Sequence, residues 1–119
     1  MTTAEEHLID EGEACVAVRS GGGYRVRVDA GVCLSSSCDE VVDSICTVTI
    51  DMGAVIVDSD ITIRRTSKRE CTADCRSATA GCVIPPLEDG TYTLIYGGSI
   101  VGLALPLEAG TETCAGSVE

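Results

Sequence analysis

The chain has no phenylalanine and no tryptophan, and Tyr24, Tyr92 and Tyr96 are the only aromatic residues among its 119. Aromatic side chains supply much of the buried area in small domains, so this core must be filled by Val, Ile, Leu and Ala, and cross-links are needed to offset the shortfall. Basic residues are also scarce. Eight Lys and Arg face nineteen Asp and Glu, for a net charge of −11. That balance excludes nucleic acid as an expected partner, because non-specific binding to it is driven by attraction to phosphate. Long apolar runs are missing too. The longest, Ile100 to Leu107, is far shorter than a bilayer span, so no membrane insertion is expected. No charged and then apolar leader opens the chain at Met1. Histidine occurs once, at position 7.

What the chain has in abundance is cysteine. Eight are present, and three of them fall within CTADCRSATAGC, residues 71 to 82. The first fourteen residues, MTTAEEHLIDEGEA, contrast with the rest. Glu5, Glu6, Asp10, Glu11 and Glu13 make them acidic and they show no alternation, which predicts a flexible, solvated arm over 1–14 attached to a single domain over 15–119. A turn around His7, Leu8 and Ile9 docking on the domain is the alternative.

The segments after Cys15, Cys46 and Cys82 resemble one another: CVAVRSGGGYRVRV, CTVTIDMGAVIV and CVIPPLEDGTYTLIY. Each reads as a short strand, a turn at Gly23, Gly53 or Gly90, and a returning strand, which predicts three hairpins. Alternation supports this reading. Val16 and Val18 oppose Ala17 and Arg19; Tyr24, Val26 and Val28 oppose Arg25, Arg27 and Asp29; Val48 and Ile50 oppose Thr47 and Thr49; Tyr92, Leu94 and Tyr96 oppose Thr93 and Ile95. Further strands are expected at Ala54 to Val57, at Ile61 to Arg64 and within Ile100 to Leu107. About seven strands without any helical period predict an all-β, two-sheet antiparallel β-sandwich of immunoglobulin-like type. A β-trefoil, suggested by the threefold repeat, is the runner-up and requires about twelve strands.

The cysteine spacings are C-x4-C-x7-C over Cys33, Cys38 and Cys46, then C-x3-C-x6-C over Cys71, Cys75 and Cys82, with Cys15 and Cys114 outside. Structural zinc sites favour C-x2-C knuckles and histidine, and redox dithiols use C-x-x-C; neither motif is present. An even count in a short chain predicts four disulfides and hence an extracytoplasmic location (secreted, periplasmic or cell-surface), with a signal absent from this chain. The repeated short loops suggest Cys38–Cys46 and Cys75–Cys82, leaving Cys15, Cys33, Cys71 and Cys114 to form the other two.

The run CTADCRSATAGCVIPPLEDGTYTLIYGG, continuing through LALPL to Cys114, resembles the small cysteine-rich, immunoglobulin-like domains of exported proteins and lipoproteins of delta-proteobacteria. The resemblance covers about residues 15 to 114. It implies an extracytoplasmic sandwich tethered through an acidic linker, and it carries no catalytic residues.

Three sets of residues are candidates for a site. Arg64, Arg65, Lys68 and Arg69 form half of all the basic residues and are suited to an anionic polymer, an acidic partner or the chain's own acidic arm. Asp51, Asp58 and Asp60 are candidate Ca2+ ligands, since calcium gathers several oxygens. The stretch Arg76 to Gly81 is a candidate inhibitory loop. His7, on an arm, could not be oriented as a general base. The expectation is a non-catalytic interaction or structural module without cofactor, presenting loops to a protein or polysaccharide. A Ca2+-dependent or polysaccharide-binding module and an inhibitor of an extracellular hydrolase are the alternatives.

Overall fold

A computed structural model describes residues 2–67 and 70–116. Nine strands follow in order: β1 Thr2–Ile9, β2 Glu13–Val18, β3 Tyr24–Asp29, β4 Asp39–Asp51, β5 Ala54–Ser67, β6 Thr79–Ile84, β7 Gly90–Tyr96, β8 Ser99–Leu105 and β9 Glu112–Gly116. They build a two-sheet β-sandwich, not a trefoil. One sheet has the order β6-β3-β2-β9 and is antiparallel throughout. The other is built around β5, the longest strand. β4 pairs with one edge of β5 along its whole length. The opposite edge is shared, with β7 parallel to Ala54–Ile56 and β1 antiparallel to Asp60–Ser67, and β8 pairs with β7.

The alternation in the sequence is realised. Val16, Val26 and Val28 of one sheet and Val55, Val57, Leu94, Tyr96 and Leu103 of the other are buried in a single cluster. Each such side chain contributes about 1.5–3 kcal/mol by leaving water. The β2–β3 and β4–β5 hairpins form as expected. At the second, Met52 (φ 47°) and Gly53 (φ 80°) both take the left-handed conformation that a two-residue turn needs to match the twist of its strands.

Three expectations about the strands are corrected. The segment after Cys82 is not a hairpin: β6 pairs with β3, while β7 crosses to the other sheet. Pro85 and Pro86 lie between them, and lacking N–H groups they cannot continue a ladder. The second hairpin of that sheet is instead β7–β8, where Tyr96 faces Ser99 across Gly97 and Gly98. Ile61 to Arg64 is not a separate strand but the far half of β5. The acidic segment is no free arm: residues 2–9 form β1, registered with β5 from Thr2↔Ser67 to Ile9↔Asp60. Its side chains are exposed except for Leu8, which is 2 % exposed, so the ladder and one anchor hold it rather than an apolar stripe.

The end of β1 is locked at a polar node inside the fold. Tyr96 Oη donates to the Glu11 carbonyl at 2.6 Å and lies 2.8 Å from Ser59 Oγ. Ser59 N–H donates to Asp10 Oδ1 at 2.8 Å, and Asp10 N–H to the Ser59 carbonyl at 3.0 Å. Burial pushes the Tyr96 phenol above its ordinary range.

All eight cysteines are paired, as Cys15–Cys114, Cys33–Cys75, Cys38–Cys71 and Cys46–Cys82. The expected Cys38–Cys46 and Cys75–Cys82 bridges do not form, because neither segment is a loop. Residues 39–46 belong to β4, and extended chain separates its ends by roughly 26 Å, against the 4–7 Å a disulfide needs. From Arg76 onward the chain likewise runs extended beside residues 24–34. The two connectors are therefore bridged to each other. β3 and β6 pair from Tyr24↔Ile84 to Asp29↔Thr79, Ala30 N–H donates to the Ala78 carbonyl, and Leu34 is bridged to Arg76. The Leu34↔Arg76 bridge is shifted by two residues from the β3–β6 register, and Cys33–Cys75 closes the connectors beside it. Cys15–Cys114 joins directly opposed residues of β2 and β9, and Cys46–Cys82 ties β4 to β6 across the two sheets.

Candidate functional site

The basic cluster that stands out in the sequence is neutralised where it is described. Arg65 Nε lies 3.0 Å from Glu6 Oε2 of β1, and its Nη1 is 3.7 Å from Asp39 Oδ2. Arg64 Nη1 is 3.9 Å from Glu40 Oε2. The acidic segment is thus the partner of Arg65, and these exposed pairs each contribute little to stability. Lys68 and Arg69 lie outside the described residues.

The three candidate calcium ligands do not converge. Asp58 and Asp60 share the outer face of β5, but Thr47 stands opposite Asp58, and Asp51 lies four residues further along β4, roughly 13 Å away. Asp60 is engaged by His7 Nδ1 at 2.9 Å. Among the described residues, the one grouping close enough for a metal is Glu13 with Cys15 and Cys114, and those two sulfurs are bonded to each other.

His7 is held on a strand, contrary to the flexible arm expected for it. Thr62 Oγ1 lies 3.2 Å from the same Nδ1 that meets Asp60. Acid and hydroxyl converge on one ring nitrogen, so the arrangement is not a relay in which acid and nucleophile occupy opposite nitrogens. The hydrogen bond that Asp60 accepts from the ring, and then its charge, raise the His7 pKa above the ordinary 6.5. The expected inhibitory loop is also part of the scaffold: Arg76 is bridged to Leu34, Ala78 is buried, and Thr79–Gly81 belong to β6.

Where the connectors meet, hydroxyls replace apolar contacts. Thr72 N–H donates to Ser37 Oγ at 2.9 Å, Ser35 Oγ lies 3.0 Å from Thr72 Oγ1, and Ser36 N–H donates to Asp74 Oδ1 at 3.2 Å. The Thr72 hydroxyl foremost, then the Ser36 side chain and N–H, hold the Asp74 carboxyl down to about 2.

The surface that the sequence reading passed over is the outer face of the β6-β3-β2-β9 sheet. An open groove of about 540 Å³ is lined there by Arg19, Arg25 and Arg27 together with Ser44 of β4 and the run Thr79 to Val83 of β6. Five consecutive residues of β6 line it, so it follows that strand. Arg25 sits in register with Val83, and Arg27 with Gly81. Among the described residues, the ion pairs involve Arg64, Arg65 and His7. The three groove arginines take part in none. The signal was present in the alternation YRVRV, which puts Arg25 and Arg27 on the outward face together; their approach to Gly81 was not legible, because it rests on the β3–β6 pairing.

Gly81 has an ordinary backbone, and an added Cβ would only touch the Val26 carbonyl at 3.7 Å. Neither conformation nor packing requires glycine there. Its effect is to leave space between Arg27 and the strand edge.

Four disulfides point to an oxidising environment for the folded chain. Among the described residues no helix is long and apolar enough to cross a membrane. Comparison with protein-family models, curated proteins and solved structures found no match to this chain.

Proposed function

We propose that this chain is a non-catalytic interaction or structural module that works outside the cytoplasm, whether secreted, periplasmic or on the cell surface. The observation that carries the reading is the pairing of all eight cysteines, two pairs of which tie one connector to the other. A chain without Phe or Trp obtains from such bridges stability that burial alone supplies sparingly, about 2–5 kcal/mol each. A rigid sheet scaffold is also a common basis for recognition, with surface side chains supplying the specificity.

The test is oxidative folding. Intact mass should show the loss of two hydrogens per bridge, and peptide mapping without reductant should link Cys33 to Cys75 and Cys38 to Cys71. Reductant should unfold the protein, as followed by circular dichroism. A chain with eight free thiols that melts at the same temperature as the oxidised form would overturn the extracytoplasmic reading.

A further inference from the structure

We propose that the groove on the outer face of β6 binds an acidic oligosaccharide, a short chain of sugar units that carry carboxylates. The proposal rests on reading the chain as an interaction module and names the partner chemistry of that module.

The groove has a floor and two walls. β6 supplies the floor from Thr79 to Val83, roughly 14 Å of extended chain. β3 pairs along one side of β6 and raises Arg25 and Arg27 there. β4 runs along the other side, joined to β6 through Cys46–Cys82 and through Ser44 Oγ, which donates to the Thr79 carbonyl at 3.0 Å. Side chains alternate across a strand, so Thr79, Gly81 and Val83 share the solvent side. Thr79 is exposed, Gly81 adds nothing above the backbone, and Val83 is 51 % exposed.

The charge of the groove is opposite to that of the chain. Acids outnumber bases nineteen to eight, yet among the described residues no Asp or Glu lines the groove, and the three arginines that precede residue 64 all do. Arg25 and Arg27 stand in neighbouring outward rows about 6.8 Å apart along β3, and like charges so placed favour one anionic group each over a single shared anion. Each guanidinium can hold a carboxylate through two parallel hydrogen bonds. Acids bound the patch. Asp29, whose Oδ1 accepts from the Gly31 N–H at 2.9 Å, stands beside Thr79 at one end, and Glu112 lies beyond Ala17 on the far side of Arg25. With −11 overall, the surface repels long polyanions and confines the attraction to a short anionic stretch.

A sugar fits this groove better than a peptide does. An added peptide strand gains its affinity from a free sheet edge, and β4 covers this one. Proline-rich segments need an aromatic groove, and no tyrosine lines this one. A saccharide needs neither. Its carboxylates meet the arginines, its hydroxyls reach those of Ser44 and Thr79, which both donate and accept, and its C–H face lies over the bare Gly81 backbone and against Val83.

The experiment titrates the oxidised, 15N-labelled protein with trigalacturonate at low ionic strength and follows amide and arginine side-chain shifts by NMR. Shifts should centre on Arg25, Arg27 and Thr79 to Val83, with a Kd below about 1 mM that weakens with added salt. The methyl ester of trigalacturonate, which keeps the rings and loses the charge, should bind at least about tenfold more weakly. The double variant Arg25→Gln, Arg27→Gln should lose a similar factor. Gly81→Leu should abolish binding with little change in melting temperature, whereas Arg64→Gln should bind as the parent does. A Kd above about 1 mM, shifts centred elsewhere, or equal binding by the arginine variant overturns the proposal. Hexaglutamate bound in the groove as tightly as trigalacturonate also overturns it and assigns the site to an acidic peptide. Any of these failures with all four bridges intact leaves the cross-linked module reading in place, since only a folded chain with free thiols removes that.

Discussion

The body of the sandwich and its far end are stabilised by different means. In the body, residues of both sheets meet side chain to side chain, with Val16, Val26, Val28, Val57, Leu94, Tyr96 and Leu103 buried together. At the far end, β1 pairs with the second half of β5, and the connectors contribute buried residues of their own. Leu34, Ala30, Ala78 and Cys38 of the connectors are the buried residues there, beside Leu8, Ile61 and Ile63. The connectors contribute small or single apolar side chains, and two disulfides with a net of hydroxyl hydrogen bonds hold the rest. Burial is cooperative and needs a partner surface. Covalent bridges can order a segment that lacks one, and this chain uses them in the region where its apolar residues run out.

The sharpest way to break the comparison is to remove bridges from each region. Replacing Cys46 and Cys82 by Ala frees β4 from β6, and it should lower the stability of the whole domain by about 2–5 kcal/mol, read as an earlier denaturant midpoint. Replacing Cys33, Cys75, Cys38 and Cys71 together should act locally. Amide exchange should accelerate in 30–38, 70–78 and β1, while β2, β3 and β9 keep their protection. Uniform acceleration would show that the two regions are a single cooperative unit.

The seam between the regions comes next in size. Tyr96→Phe removes the donor to the Glu11 carbonyl and a partner of Ser59, and it should cost about 1–3 kcal/mol by thermal melting, with exchange rising first in β1.

The smallest effects are electrostatic. The Asp74 carboxyl is held down to about 2, against an ordinary value of 3.8. Its contribution is therefore complete above about pH 3.8 and is lost as pH falls toward 2. Asp74→Asn should flatten that part of the stability profile and nothing above it. His7 has the opposite sign. Its pKa is raised above 6.5, so its contribution is complete below that value and fades as pH rises through the elevated one. His7→Gln should erase a mild weakening of β1 docking on the alkaline side, measured by amide exchange of β1 across pH 6 to 9.

Much of the sandwich was legible because its signals are local. Alternation in YRVRV and TYTLIY predicts which side chains are buried, and MG and GGG predict turns, since both follow from the backbone geometry of a few adjacent residues. β1 was not legible, because its residues are mostly exposed and its pairing with β5 is formed by main-chain groups that carry no sequence signature. The candidate site divides in the same way. The outward direction of Arg25 and Arg27 could be read, while the neutralisation of Arg64 and Arg65 and the gap at Gly81 depend on strands distant in the chain.

By itself the sequence determined the class of the protein: an all-β domain of −11 charge, with a core of Val, Ile, Leu and Ala and eight cysteines reserved for cross-links. Periodicity, charge and composition are properties of single residues and near neighbours, and they survive without a fold. Only the tertiary structure decided which cysteine meets which, which arginines are spent on the chain's own acids, and which take part in no ion pair among the described residues. Those are facts about strand register and sheet order. A shift of one residue in register would turn Arg27 inward, and nothing in a local stretch records that choice.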